Sequence, residues 1–186
     1  MDRVAIVGCI GAGKSALARA IGERLRIEVT HLDRLWWQDG NYVITGRKTV
    51  QMHTLPPEEF RQIQEQIIAR ERWVIDGGSD WLALRLARAD TVVFLDLPLR
   101  VCARRVVTRQ GNRRADYPPN VGESWRWTLR LVRWVLWTYP RHRRAWIEQM
   151  IATHARAALV VRVRRPEPVE VLVDRVVAAG GPNRSR

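Results

Sequence analysis

The sequence predicts an α/β fold in which a five-stranded parallel sheet carries helices on both faces. Three observations lead there. Short apolar runs at residues 4–7, 26–30, 73–75, 91–95 and 158–163 alternate with segments of helical period, the pattern of strands buried on both faces. Three of the runs end at or near a carboxylate, Asp33, Asp76 and Asp96. Between the first run and the first helical segment stands Gly8-Cys9-Ile10-Gly11-Ala12-Gly13-Lys14-Ser15, a complete G-x-x-x-x-G-K-[ST] string.

The elements follow in order. Val4-Ala5-Ile6-Val7 reads as a buried strand, and Leu17, Ala20, Ile21 and Leu25 recur at helical spacing after the glycine-rich string. Residues 26–30 read as a second strand ending in His31-Leu32-Asp33, followed by an aromatic, turn-rich stretch through Trp36, Trp37 and Tyr42 that reads as a substrate-facing loop. Thr54, Pro56, Pro57, Glu58 and Glu59 start a helix whose apolar face is Phe60, Ile63, Ile67 and Ile68. Trp73 to Asp76 is the next strand, and Ser79 is placed to cap the helix carrying Leu82, Leu84 and Leu86. The run 91–95 ends at Asp96, and a helix from Pro98 carries Cys102, Arg105, Val106 and Arg109. Residues 110–121, rich in Arg and Pro, read as a mobile lid. The segment 122–156 is helical, with Trp125, Trp127, Trp134 and Trp137 spaced as a helix core and Pro140 as a break. A fifth strand at 158–163, a last helix from Pro166 through Val177 and a disordered tail at 180–186 complete one domain over residues 1–179.

The glycine-rich string has a physical meaning. Glycines let the loop curl so that successive N–H groups point at a polyphosphate, and the helix that follows aims its positive end at the same anion. Lys14 supplies a point charge for the β- and γ-phosphates, and Ser15 a hydroxyl for Mg²⁺. Only Lys14 and Lys48 are lysines among 32 basic residues, yet lysine stands where this chemistry asks for it. The expected fold is therefore the three-layer P-loop NTPase fold, with ATP and Mg²⁺ as cofactors and Gly8, Cys9, Ile10, Gly11, Ala12, Gly13, Lys14, Ser15 and Ala16 forming the nucleotide cradle. In such sheets ligands gather at the carboxyl ends of the strands, where Asp33, Asp76 and Asp96 also stand.

At 186 residues and 46% hydrophobic composition the chain can bury one sizeable core. Apolar runs are too short for a membrane span, and the first strand begins too early for a leader, so a cytoplasmic location is expected. Cys9 and Cys102 lack the spaced partners of a zinc site or disulfide framework, and the four histidines show no ligand spacing. The net charge of +13 is concentrated: residues 100–165 hold 16 Arg against Asp116, Glu123 and Glu148. Either a phosphate-clamping lid or a nucleic-acid surface accounts for such a segment.

These residues resemble the adenylate-kinase-like group of P-loop kinases and, more narrowly, the DNA topology modulation (FlaR-like) proteins. The narrower marks are His31-Leu32-Asp33 with a Trp soon after, Trp73-Val74-Ile75-Asp76-Gly77, Arg85-Leu86-Ala87-Arg88-Ala89-Asp90, Phe94-Leu95-Asp96-Leu97-Pro98 and the Trp-rich helix. Where the family shows Asp-Gly-Asn-Tyr, this chain has Asp76-Gly77-Gly78-Ser79. The resemblance implies that Asp76 holds a Mg²⁺-bound water, that Arg105 and Arg109 contact the nucleotide, and that Arg113 and Arg114 lie in the lid. It implies that Lys14, Asp33, Arg105 and Arg109 form the catalytic set, with Asp33 orienting an acceptor hydroxyl and taking its proton. Asp33, Trp36, Trp37, Gly77, Arg85 and Arg113 would then face the acceptor. The first functional expectation is a kinase that transfers the γ-phosphoryl of ATP to a small molecule or nucleotide. The second is an ATP-dependent nucleic-acid-binding regulator, in which the 16 arginines and five tryptophans of residues 100–165 track a backbone and stack bases. Acceptor and oligomeric state are not legible.

Overall fold

The computed structural model describes residues 1–36, 42–43, 51–52, 56–78, 81–109 and 125–181. The expected lid at 110–121, Ser79, Trp37, Arg113, Arg114 and the end of the tail lie outside them, as does the side chain of Trp36.

The chain opens with β1 (Arg3–Gly8), whose Val4, Ala5, Ile6 and Val7 are buried. The phosphate-loop string follows, then α1 (Lys14–Leu25). Next come β2 (Val29–His31), α2 (Leu32–Trp36), and a small antiparallel pair, β3 (Tyr42–Val43) and β4 (Gln51–Met52). Helix α3 (Pro57–Ile68) leads to β5 (Trp73–Asp76), α4 (Leu82–Arg88), β6 (Thr91–Leu95) and α5 (Leu99–Thr108). After α6 (Trp125–Arg133) the chain winds as a π-helical segment over Trp134–Arg143 and continues as α7 (Arg144–His154). Strand β7 (Leu159–Val163) and α8 (Val169–Ala179) close the fold.

The sheet has the order β2-β5-β1-β6-β7, all parallel, as the alternation of apolar runs and helices predicts. Both β5 and β6 are buried along their whole length, so they read in the sequence as continuous apolar runs. Because β5 and β6 flank β1, their carboxyl ends bracket the phosphate loop. Register places His31 directly beside Asp76 at the end of the neighbouring strand. Among the described residues no helix is long and apolar enough to cross a membrane.

Five local expectations need correction. The second strand does not begin at Arg26, because Arg26 adopts a left-handed conformation (φ 54°) and its N–H closes the end of α1 on the carbonyls of Glu23 and Gly22. Asp33 lies in the first turn of α2 rather than on a strand, since the chain coils as soon as His31 has paired. Pro140 does not break the Trp-rich helix. Proline lacks the N–H that an α-helix needs at that position, and the winding loosens to a five-residue repeat instead, so that Arg144 N–H bonds the carbonyl of Tyr139. Nor is that helix mainly core. Thr128, Val135 and Tyr139 are buried, while Trp125 and Trp137 are each 62% exposed and Leu129 is 63% exposed. The last helix starts at Val169, three residues after Pro166.

Candidate active site

The phosphate loop is held by close contact with the elements beneath it. At Gly11 the backbone has φ 80°, and a Cβ there would lie 2.4 Å from the carbonyl oxygen of Cys102 on α5. A side chain is therefore excluded on conformational and steric grounds together. The thiols of Cys9 and Cys102 are hydrogen-bonded to each other, and that bond with burial pushes the Cys9 thiol up, so it stays neutral beneath the loop. Lys14 Nζ donates to the Cys9 carbonyl at 3.0 Å, folding the ammonium over the loop, and Arg105 Nη1 donates to the Ala12 carbonyl at 3.1 Å.

Asp76 sits at the centre of the strand ends and is 3% exposed. Its Oδ2 accepts from Ser15 Oγ at 2.8 Å, and its Oδ1 is in close contact with His31 Nδ1. This pairing of a hydroxyl and a carboxylate beside a phosphate loop is a hard-oxygen donor set of the kind Mg²⁺ takes up together with nucleotide phosphates. Gly77 follows with φ 129°, and a Cβ on it would meet Leu32 at 2.9 Å, so β5 must leave the sheet through glycine to pass α2. Asp33 Oδ1 comes within 3.6 Å of that same point, which brings Asp33 to the strand ends although it is not on a strand.

Arg85 is held inside the fold. Its side chain is 1% exposed, with Nη1 donating to Gln64 Oε1 at 2.7 Å and Nη2 to the Gly77 carbonyl at 3.1 Å. Burial pulls its pKa down to about 10, opposed by the carboxylates of Asp76 and Asp33 and reinforced by Arg143. Arg85 thus ties the turn after β5 to α3 through Gly77 and Gln64. Asp96 is likewise engaged: it accepts from Arg144 Nη2 at 2.8 Å and from Arg162 at 3.0 and 2.7 Å, and Arg162 also contacts Glu148. That network ties the end of β6 to β7 and α7.

Among the described residues, two cavities flank the loop. One of about 330 Å³ is lined by Gly13, Ala16, Arg105, Arg165, Pro166 and Glu167, and so lies between the start of α1, α5 and the turn into α8. The other, about 550 Å³, is lined by Lys14, Gly78, Trp134, His142, Arg143 and Trp146, among others. The Arg143 guanidinium lies 4.0 Å over the Trp146 ring in a cation–π contact. Of the expected site residues the structure brings together Gly8 to Ala16, Asp76, Gly77, Asp33 and Arg105. Arg109 caps the end of α5, its N–H bonding the Arg105 carbonyl. Asp33 and Arg85 line neither cavity. Sequence reasoning missed the turn 165–167, the cavity residues of the π segment and α7, and His31. The first stands at the carboxyl end of a strand, as the fold rule would have suggested; the π segment hid behind its proline.

Comparison with solved structures supports the same architecture. A shikimate kinase from Bacteroides thetaiotaomicron superposes with a TM-score of 0.58 at 17% identity, covering 95% of this chain and 97% of that one. A shikimate kinase from Acinetobacter baumannii in complex with shikimate superposes with a TM-score of 0.59 at 16% identity, covering 100% of this chain and 96% of that one. At such identities the likeness establishes the fold alone, a five-stranded parallel sheet with helices on both faces. No curated protein sequence matches the chain. A family model described as an AAA domain matches residues 4–126, from the first strand past the phosphate loop and α5. The chain belongs to that AAA-domain family.

Proposed function

We propose that the protein is an ATP-dependent phosphotransferase acting on a small acceptor. The observation that carries this reading is that the phosphate loop contributes to the lining of two separate cavities, Ala12 and Gly13 to one and Gly8, Ile10 and Lys14 to the other. A hydrolase needs one pocket for nucleotide and access for water. Transfer needs a second pocket on the far side of the γ-phosphate. The 330 Å³ cavity beside Gly13 and Arg105 suits the nucleoside, and the 550 Å³ cavity at Lys14 suits the acceptor. Its cationic residues Lys14 and Arg143, set against the rings of Trp134 and Trp146, favour an acceptor with an anionic group and an apolar face.

In transfer, an acceptor hydroxyl oxygen bonds to the γ-phosphorus as the bond to the β–γ bridging oxygen breaks, and ADP leaves. Lys14 swings from the Cys9 carbonyl to the β- and γ-phosphates, while loop N–H groups hold the β-phosphate. Arg105 leaves Ala12 for the nucleotide, with Arg109 beside it. Asp33, which lies beside Gly77 next to the cavity-lining Gly78, takes the hydroxyl proton. Mg²⁺, when bound, would be held by Ser15 and through water by Asp76, and would offset charge on the phosphate oxygens. The narrower kinship with the DNA topology modulation proteins rests on the motifs at 31–33, 73–77, 85–90 and 94–98.

The test is incubation with γ-labelled ATP and a panel of small hydroxylated carboxylates and nucleoside monophosphates. Label moving to one acceptor class, and lost in Lys14→Ala, is the expected result. Steady hydrolysis with no labelled acceptor ends the kinase reading.

One observation favours a second reading. Trp125 and Trp137 are exposed, the Arg141 guanidinium lies 4.3 Å over the Trp137 ring, and α6 carries Arg126, Arg130 and Arg133. Exposed rings interleaved with arginine can stack bases and follow a phosphate backbone. Single-stranded DNA binding that weakens steeply with salt and survives Lys14→Ala would support it.

A further inference from the structure

We infer that His31 is a positioning residue for the metal-binding carboxylate: it fixes the side chain of Asp76 so that one oxygen stays turned toward Ser15 and the phosphate loop. This rests on the nucleotide–metal reading above and adds to it a residue that the loop motif does not contain.

The inference begins with register. His31 and Asp76 are paired Cα partners on adjacent parallel strands, so their side chains leave the sheet on the same side at the same level. His31 Nδ1 meets Asp76 Oδ1, and Ser15 Oγ meets the other oxygen, Oδ2, at 2.8 Å. The two contacts divide the carboxylate between them. In this pair His31 Nδ1–H is the donor and the carboxylate oxygen Oδ1 the acceptor. With Oδ1 held, rotation about the Asp76 side chain is blocked, and Oδ2 remains directed at the Ser15 hydroxyl.

The surroundings make that restraint useful. Asp76 is 4% exposed at its side chain and His31 13%, so water contributes little to fixing either group. The element that presents His31 is a three-residue edge strand followed at once by α2, whose Leu32 packs under Gly77. His31 thus comes from outside the loop, across β5, and couples the edge strand to the metal site. Partners of this kind, which touch the ligand and not the metal, typically change metal affinity by about 10- to 100-fold when removed.

The experiment measures nucleotide binding with and without metal, using a fluorescent ATP analogue with Mg²⁺ or Mn²⁺ as the probe. Wild type, His31→Ala, His31→Asn and Asp76→Asn are compared, with thermal melts confirming that each is folded. His31→Ala is expected to leave the metal-free affinity within about twofold of wild type while raising the metal concentration for half-maximal enhancement about tenfold. His31→Asn, whose amide N–H can replace Nδ1–H, should recover most of that shift. Because the readout is binding, it is independent of any acceptor. Equal loss of metal-free and metal-dependent binding in His31→Ala would overturn the inference by showing a general role in the loop. So would an unchanged metal dependence in His31→Ala alongside a shifted one in Asp76→Asn. Should His31→Ala fail to fold, His31→Asn and His31→Gln decide: a metal shift confined to the variant whose amide cannot reach Oδ1 supports positioning, and no shift in either overturns it. Absence of metal enhancement in wild type overturns the nucleotide–metal reading itself, a result distinct from these.

Discussion

At the scale of single residues, the phosphate loop works because a few positions allow no alternative. Gly11 is the sharpest case. Its left-handed φ of 80° and the 2.4 Å approach to the Cys102 carbonyl mean that even a methyl group forces the loop away from α5. Gly11→Ala is expected to cost at least about 2 kcal/mol, from backbone strain plus the displaced contact, and to weaken ATP binding by more than its effect on stability explains. Urea denaturation and nucleotide titration on the same variant check both parts. Lys14, Ser15 and these glycines were legible in the sequence because the motif is a direct statement of backbone geometry and charge. Asp76 was legible as a strand-end carboxylate. The partners of Arg85 were not: a charged residue in an apolar helix does not record what it will bond, and here Gln64 and Gly77 come from outside its helix. His31 escaped for the same reason, since pairing across parallel strands depends on a register that no local pattern records.

At the scale of elements, the long helical segment after residue 124 decides the shape of the larger cavity. The sequence signalled a helix and a proline break, and its aromatic density suggested core. Instead Pro140 is absorbed by π winding, which keeps the chain continuous while shifting residue phase, and the same stretch carries Trp134, Thr138, His142 and Arg143 to the cavity. Tyr139 is anchored in this segment, packed 5.7 Å from Trp134, with a buried hydroxyl that finds no hydrogen-bond partner among the described residues. Tyr139→Phe should therefore leave stability at neutral pH within about 1 kcal/mol of wild type. Burial raises the Tyr139 phenol above its ordinary value. Above about pH 10 the unfolded chain would release that proton while the folded chain keeps it, so stability falls as pH rises, and Tyr139→Phe should flatten the fall. Denaturant midpoints from pH 8 to 11 measure this. The network around Asp96 holds α7 to the sheet. Because Arg144 and Arg162 are 46% and 32% exposed, they can return to water when their partner is lost. Asp96→Ala should then cost about 2 kcal/mol, less than a fully buried pair, with the larger cavity loosened as a consequence. The same denaturation experiment reads the first effect, and quenching of tryptophan fluorescence by iodide the second.

At the scale of the whole molecule, strand order and charge converge on one edge of the sheet. With β1 in the middle and β5 and β6 beside it, the carboxyl ends bring the phosphate loop, Asp76 and Asp96 together, and the alternation of apolar runs was enough to predict that. What a parallel sheet does not encode locally is how its crossover helices cap the crevice, so the two cavities and their linings emerged only from the assembled fold. The excess of positive charge between residues 100 and 165 is divided in the described residues among Arg105 at the smaller cavity, Arg143 at the larger, the Asp96 network and the arginines of α6, which also carries the exposed Trp125. A single label for that segment, lid or nucleic-acid surface, is too coarse. Common to every functional reading is a loop that grips the phosphates of ATP through its amides and Lys14. Calorimetric titration of the folded protein with ATP in the presence of Mg²⁺ tests it most directly: saturable one-to-one binding, weakened at least about a hundredfold in Lys14→Ala with little change in melting temperature, is the predicted result. No magnesium-dependent heat in the wild type, or equal binding by Lys14→Ala, would contradict it.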